Sequence, residues 1–359
     1  MRLFLLALLL GGSLPLAASQ QLNLYSWADY VPAQALQRFQ DTTGIQVRYD
    51  TFDSLEVLES KLLTGRSGYD LVFPASTSLA RAIQAGALQP IEADDFTHAA
   101  SLDPELLALL AEADPGNRYA MPYTWGTVGL GINLQAVEQR LGADAPLNSL
   151  DLLFKPDYAQ RLKDCGIAVL DSPQEVIAIA LNYLGHDPYS TAGPALEQAA
   201  QLLAALQPNV RYVGSARHID DLARGEVCLA LTYNGDAGMA AARAAESGQP
   251  FEVIYRIPRE GTLIWFDSLA IPVDAPNPAA ARQLIDFLLQ PEVLAELTNE
   301  LFFANASLAA EPLIDPQIAA DPDIYPPPEL RARLFAERQL SLAEQRQRNR
   351  LWTRFRTQY

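Results

Sequence analysis

The sequence has few residues of the kinds that metal sites and catalytic triads use. Only three of its 359 residues are histidines and two are cysteines. His98, His186 and His218 stand at unrelated spacings that fit neither a metal site nor a triad, and we interpret all three as surface residues. The Gly-Leu-Gly at 129–131 lacks the third glycine of a dinucleotide loop, and no phosphate loop or GxSxG motif occurs. We therefore predict that the protein binds no metal and no cofactor and is not an enzyme.

Positive charge is also scarce. The chain carries 26 Lys and Arg against 43 Asp and Glu, for a net charge of −17 and a pI near 4.6. This balance argues against nucleic acid or an anionic membrane as partner and favours attraction of cations. Eight arginines lie in the tail from 325 onward, and a nucleic-acid arm is the alternative there. We interpret the tail as a solvated helix that docks through Leu334, Phe335, Leu351 and Trp352.

The only long apolar run lies at the start of the chain. Arg2 precedes the apolar residues 3–10, and small residues follow at 17–19, which is the layout of a cleaved secretory signal. No later run reaches the roughly 18 residues of a spanning helix. We predict export to the periplasm without a lipid anchor, because no cysteine stands near residue 19. In an oxidising compartment Cys165 and Cys228 predict one disulfide, with two buried free thiols as the alternative.

Apolar periodicity predicts an α/β protein of two domains. Strands at 22–25, 45–49 and 69–73 alternate with helices at 32–44, 53–65 and 76–86, which is typical of a parallel sheet covered by helices. A second alternation follows residue 140, and strands at 251–257 and 262–271 lead back toward the first domain. We expect two crossings, near 123–125 and 251–257, and so a hinged pair of lobes.

Acidic residues recur beside aromatic residues at the ends of predicted elements. Carboxylates set against aromatic faces can hold an organic ammonium, through charge-assisted hydrogen bonds and cation–π contacts. In parallel sheets, ligands lie beyond the carboxyl ends of the strands, where Asp29 falls. The motif occurs three times: at Trp27, Asp29 and Tyr30; at Tyr233 and Asp236; and at Trp265 and Asp267.

Each acid also has a structural explanation. Glu175 fits a capping box with Ser172, although Asp171 stands directly before it. Asp236 follows a strand-to-helix turn and could be an N-cap. Asp267 lies in an apolar run, where an unpaired carboxylate costs several kcal/mol. Its alternative is an arginine partner from elsewhere in the fold.

From residue 22 to the C-terminus the chain resembles the periplasmic polyamine-binding proteins of ABC importers, the putrescine and spermidine/putrescine receptors. The most specific stretches are residues 24–30, 50–62, 120–123, 169–176 and 304–306. The resemblance implies a two-lobed clamp with a type II-like fold, in which the ligand lies between mainly parallel sheets. It places the signal peptide at 1–19, the first lobe at 20–123 and 251–304, and the second lobe at 124–250 and 305–359.

By the family pattern, the ligand site comes from both lobes. We expect a monomer that delivers a polyamine to an inner-membrane ABC permease and uses no cofactor. Cys165 and Cys228 also match a cysteine pair of putrescine-binding members. The predicted ligand residues are Trp27, Asp29, Tyr30, Asp171, Glu175, Ser215, Tyr233, Asp236, Trp265 and Asp267.

The chain departs from the family pattern at several positions that would face the ligand. Ala28 and Ala75 replace serines, Phe303 replaces a tyrosine, Tyr233 replaces a tryptophan and Trp265 replaces a phenylalanine. Because hydroxyls are lost while a broad ring is gained, we predict spermidine over putrescine. Two alternative functions stay open: a hydrolase that uses paired acids such as Glu175 and Asp236, and a polyamine sensor for a signalling partner.

Overall fold

A computed structural model describes residues 21–28, 30–52 and 54–357, so the predicted signal peptide and Asp29 lie outside the described residues. Within these ranges eleven strands form one mixed sheet. The strands are β1 Gln21–Ser26, β2 Gln46–Thr51, β3 Leu71–Val72, β4 Ala120–Asn133, β5 Ile167–Val169, β6 Val210–Val213, β7 Leu229–Tyr233, β8 Val253–Arg256, β9 Leu263–Ala270, β10 Ala304–Asn305 and β11 Phe335–Ala336.

The same part of the chain forms sixteen α-helices. They are α1 Ala33–Thr43, α2 Leu55–Leu63, α3 Ser76–Gln84, α4 Pro104–Leu110, α5 Leu134–Leu141, α6 Asp151–Phe154, α7 Pro156–Leu162, α8 Pro173–Tyr183, α9 Gly193–Leu206, α10 Arg217–Ala223, α11 Asn234–Glu246, α12 Pro278–Leu288, α13 Pro291–Leu301, α14 Pro316–Ala319, α15 Pro328–Arg331 and α16 Leu342–Thr357.

The first lobe has the predicted βαβαβα start. Strands β2, β1 and β3 run parallel, and β9 and β4 then pair antiparallel beside them. Helix α1 shows why the sequence folds this way: it buries Ala35, Leu36 and Phe39 on one face and ends at Gly44, whose φ of 72° suits glycine. The α/β fold is confirmed.

The second lobe repeats this plan. Strands β7, β5 and β6 run parallel, and the second half of β4 pairs antiparallel with β7. The predicted disulfide is confirmed: Cys165 and Cys228 are bonded, with Cα atoms 5.5 Å apart. The bond lies just before β5 and β7 and so at the amino ends of these strands, away from the end at which ligands bind in such sheets.

Strand β4 carries the chain between the lobes. Its residues 120–127 pair with β9, and residues 128–132 pair with β7, so one fully buried strand belongs to both lobes. The glycine pair at 129–131, which looks like a loop in the sequence, lies inside it. A Cβ on Gly129 would lie 2.5 Å from the Tyr255 hydroxyl oxygen, so this strand requires glycine where its neighbours approach closely.

The C-terminal region packs on both lobes. Ala306, Ala310, Ile314 and Ile318 are buried in the core of the first lobe, whereas the predicted boundary assigns residues 305–359 to the second. This packing favours assigning residues 305–334 to the first lobe instead of the second. The Arg-rich helix α16 docks on the second lobe through Leu351, Trp352 and Phe355, in accord with its interpretation as a docked helix. No helix in the described ranges is long and apolar enough to cross a bilayer.

Candidate functional site

Asp267 lies on β9, a strand whose residues pack into the cores of both lobes. It is a β9 residue opposite Thr124 of β4, and its backbone also forms a bridge with Ala75. The Tyr30 hydroxyl donates to Asp267 Oδ2 at 2.6 Å, and its oxygen lies 2.5 Å from Thr124 Oγ1. Because the Tyr30 hydroxyl donates its proton to Asp267, the Thr124 hydroxyl is the donor in the hydrogen bond between Thr124 and Tyr30. This hydrogen-bond chain fixes the orientation of the carboxylate.

The charge of Asp267 has no counterion in the described part of the chain. The residue is only 6% exposed, and no Arg or Lys there forms an ion pair with it. Burial raises the pKa of its carboxyl to about 7, although hydrogen bonding with Tyr30 and Trp27 lowers it. The alternative of an arginine partner is therefore not found among these residues. The carboxylate is thus buried with only neutral hydrogen-bond partners among these residues.

Aromatic rings join the two lobes beside this acid. The Trp265 ring is 5.1 Å from the Phe303 ring and 6.0 Å from the Tyr233 ring, both nearly perpendicular. Phe303 also lies 6.2 Å from Tyr30. Phe303 seats on Gly235 at the start of α11, where a Cβ would overlap its ring. Sequence analysis treated Phe303 only as a lost hydroxyl, but its ring is the contact between the lobes.

Glu175 provides a second buried acid, from the first turn of α8. The Tyr233 hydroxyl donates to Glu175 Oε2 at 2.8 Å. Burial raises the pKa of Glu175, while hydrogen bonding with Tyr233 and Ser172 lowers it. The capping-box alternative is wrong, because the Ser172 side chain makes no capping hydrogen bond to the helix backbone. The carboxylate accepts from Tyr233 of β7 and interacts with the Ser172 side chain.

Asp236 is held by a buried histidine. Its Oδ2 lies 3.1 Å from His218 Nε2, which is also 2.6 Å from Thr232 Oγ1. His218 is only 1% exposed, so the interpretation of this histidine as a surface residue is wrong. Asp236 is not an N-cap either, because α11 starts at Asn234 and its cap position is Tyr233. Asp236 is the third residue of α11 and lies in its first turn.

Asp171 lies against the C-terminal helix α16, and Ser215 lies beside Asp171. Trp352 Nε1 donates to Asp171 Oδ1 at 2.9 Å, and Arg356 Nη1 lies 2.9 Å from Asp171 Oδ2. Ser215 is exposed, and its Oγ accepts the backbone N–H of Asp171. Both carboxylate oxygens of Asp171 are thus engaged by α16, and we leave it out of the acid cluster that follows.

Sequence analysis missed one acid, Glu337. It follows β11, which runs parallel to β9 with Ala336 opposite Ile264. Glu337 is 9% exposed, and burial and the charge of Glu175 raise the pKa of its carboxyl to about 8. In the sequence it stands beside Arg338 and looks like half of a surface ion pair. Arg338 instead lies 5.1 Å over the Tyr189 ring.

Three buried acids thus border one cluster of rings, those of Trp265, Phe303 and Tyr233: Asp267 through Tyr30, Glu175 through its hydrogen bond with Tyr233, and Glu337 through its charge near Tyr233. Within the described ranges, no group of His, Cys, Asp and Glu side chains fits a metal ion. Acids that lack counterions, set beside flat rings, can hold an organic cation. With two α/β lobes joined by shared strands, this site defines a two-lobed solute-binding protein.

Comparison with known proteins agrees with this class. The chain belongs to the family described as bacterial extracellular solute-binding protein, which matches residues 34–326. It is 44% identical to the putrescine-binding periplasmic protein PotF of Escherichia coli, over 94% of this chain and 92% of that protein. It is 36% identical to the spermidine/putrescine-binding periplasmic protein of Salmonella typhimurium, over 89% and 87% of the two chains.

A solved structure has the same fold. The spermidine/putrescine ABC transporter substrate-binding protein PotD from Streptococcus pneumoniae, crystallised with calcium and HEPES, superposes with a TM-score of 0.83 at 27% identity. The match covers 94% of this chain and 98% of that one. The family resemblance stated from the sequence is confirmed. The chain is a solute-binding protein and not an enzyme, so the hydrolase alternative is overturned.

Proposed function

We propose that the protein is a periplasmic receptor that binds a polyamine between its two lobes and delivers it to an ABC permease. The observation that carries this proposal is Asp267: a buried carboxylate, oriented by Tyr30, without a counterion in the described residues. A protonated amine provides three donors and a positive charge for such a group.

The polyamine chain fits the remainder of the site. Methylenes between ammonium groups would pack on Trp265 and Phe303, at about 0.8 kcal/mol for each buried CH₂. The named relatives bind putrescine or spermidine, which supports a polyamine here. We retain spermidine over putrescine as a prediction, since Ala28, Ala75 and Phe303 offer no hydroxyl to a short diamine.

Binding would be coupled to closure of the lobes. Asp267 comes from the first lobe, and Glu175 and Tyr233 come from the second, so a ligand that contacts all three stabilises the closed arrangement. A permease that recognises the closed arrangement would then receive only loaded receptor. A monomer suffices for this mechanism, and the predicted monomer is retained.

Calorimetric titration of the mature protein with putrescine, spermidine, cadaverine, agmatine and spermine tests the proposal. We expect saturable binding of at least one of them, with the ligand recovered unchanged by mass spectrometry. Absence of binding to all five would refute the amine assignment. Genes for an ATPase and permeases beside this gene would support delivery to a permease, whereas a neighbouring membrane signalling gene would favour the sensor alternative.

A further inference from the structure

Two buried carboxylates, those of Glu175 and Glu337, interact electrostatically at the second-lobe end of the site. Glu175 comes from α8, and Glu337 comes from the segment that follows β11. They are 7% and 9% exposed, and neither forms an ion pair with an Arg or Lys in the ranges that the structure describes. Two adjacent carboxylates in a dry environment cannot both ionise without a cation or a proton between them.

The sheet places Glu337 beside the aromatic wall. Phe335 and Ala336 lie opposite Leu263 and Ile264. Continuing this parallel register sets Glu337 beside Trp265, whose ring contacts Tyr233, the residue that donates to Glu175. If the register continues one residue past β11, Glu337 is on the same face of the sheet as Trp265 and Asp267, since side chains alternate along strands.

The groups that face Glu337 leave its charge largely uncompensated. From α3, Thr77 interacts through its backbone amide and hydroxyl, and Arg81 lowers the pKa of Glu337 from a distance while its own ion pair is with Glu59. Tyr189 and Tyr233 face it as neutral phenols, and burial together with the charge of Glu175 raises the pKa of Glu337 to about 8. Arg338 and Arg348 lie over the Tyr189 ring.

We infer that Glu175 and Glu337 form a two-carboxylate subsite that holds one proton when empty and exchanges it for a protonated nitrogen of the ligand. The ligand nitrogen keeps its own proton, and the proton shared by the carboxylates leaves to solvent, so the pair carries both negative charges only when the cation is bound. This inference rests on the proposed function and deepens it. The extra acid favours a ligand with more than two positive charges.

A competing explanation gives Glu337 a structural role only. Its interaction with the Thr77 amide would cap α3, whose N-cap residue, Ala75, provides no side-chain cap. A cap of this kind affects stability but neither the proton count nor the choice of ligand. The two explanations therefore predict different calorimetric results.

The test is calorimetry of Glu337→Gln with spermidine and putrescine at pH 7, in buffers of different ionisation enthalpy. We expect the variant to release about one proton fewer per spermidine than the wild type. Spermidine affinity should fall roughly 10- to 100-fold, and putrescine affinity should fall less. Glu337→Asp, which keeps the charge, should retain proton release. Glu329→Gln, an exposed acid in α15, is the matched control and should behave as wild type.

The outcomes separate the two proposals. Unchanged proton release and an unchanged affinity ratio in a folded Glu337→Gln protein would overturn the carboxylate pair and leave the α3 cap. An equal loss for both ligands without a change in proton release would overturn it as well. If the wild type itself binds no polyamine, the proposed function fails instead.

Discussion

At the residue scale, the site depends on how costly its carboxylates are without a cation. Asp267 is 6% exposed and keeps only neutral hydrogen-bond partners among the described residues. A charge in such an environment is stabilised mainly by an ion that arrives with opposite sign. The Asp267 carboxylate therefore lowers the stability of the empty protein and raises its affinity for a cationic ligand.

The first prediction concerns a variant that removes the charge of Asp267 and keeps the shape of its side chain. Asp267→Asn should weaken polyamine binding roughly 10- to 100-fold, because a charge-assisted hydrogen bond contributes about 1.5–3 kcal/mol. Calorimetry gives the change directly. If affinity stays within twofold of wild type, Asp267 is structural and the cation site is wrongly placed.

A matched control is available in the first lobe. Asp114 is also fully buried, and it accepts the backbone N–H groups of Tyr119 and Ala120. Asp114→Asn should lower the free energy of unfolding without changing polyamine affinity. The two variants thus separate loss of a buried acid from loss of the ligand contact.

The second prediction concerns pH. The pKa of Asp267 is about 7 in the folded protein against 3.8 as its ordinary value. Between these values the folded state holds a proton that the unfolded chain has released, so this contribution to stability is complete below about pH 4 and is lost as pH rises through 7. Affinity for a cationic ligand has the opposite pH dependence. It should rise as pH rises through 7, because Asp267 then becomes charged.

The pH dependence of stability and that of polyamine affinity can both be measured with Asp267→Asn as the reference. Without ligand, the stability difference, wild type minus variant, should fall from pH 5 to pH 8, by roughly 3 kcal/mol. Polyamine affinity of the wild type should rise over this interval by more than that of the variant. A flat difference in stability would contradict the pKa assigned to this carboxyl.

At the element scale, α11 and the segment before β10 meet across the lobes. Phe303 rests on Gly235, and Phe302, with a φ of 59°, turns the chain so that its ring faces Gly238. A non-glycine residue in this left-handed region is strained, and here its conformation sets both rings on α11. Closure of the lobes therefore depends on a glycine at 235, where a Cβ would overlap the Phe303 ring.

The third prediction follows from this contact. Gly235→Ala would improve helix propensity by about 1 kcal/mol, yet its methyl group would overlap the Phe303 ring. We expect polyamine affinity to fall about tenfold or more through faster dissociation, measured by stopped-flow kinetics, because the closed state loses its inter-lobe contact.

Two variants check the cause. In Gly238→Ala the new Cβ would lie 3.4 Å from the Phe302 Cβ, an ordinary contact, so binding should be unchanged. Combining Gly235→Ala with Phe303→Ala removes the overlap, and the double variant should bind better than Gly235→Ala alone. Equal binding by both would show that the overlap does not limit closure.

At the scale of the whole molecule, the C-terminal helix returns to the second lobe beside the site. Its Trp352 and Arg356 bind Asp171, and its apolar side chains complete the second core. The fourth prediction is that Asp171→Asn lowers stability by about 1 kcal/mol, since the ion pair is half exposed. Polyamine affinity should stay within twofold.

Denaturant unfolding and calorimetry on the same Asp171→Asn preparation measure both quantities. A tenfold loss of affinity with unchanged stability would return Asp171 to the set of predicted ligand residues. The predicted result would assign it to anchoring α16.

The sequence by itself determined the local elements and the kind of ligand. Apolar periodicity and caps are local properties, so α1, the three parallel strands of the first lobe and the amine-binding chemistry of Asp267 could be predicted. Strand β4 could not, because Pro122 and three glycines act as breakers in sequence but are accommodated by a bulge and by close neighbours in the sheet.

Only the tertiary structure decided which acids share the site. Contacts between Glu337, Glu175 and Tyr233 join residues that are far apart in the sequence, and no local pattern encodes them. Burial and counterions are likewise properties of the packed fold, since they depend on every element around a side chain. For this reason sequence patterns could single out Asp267 as a buried acid, but they could not show that Asp171 pairs with Arg356 or that Glu337 interacts with Glu175.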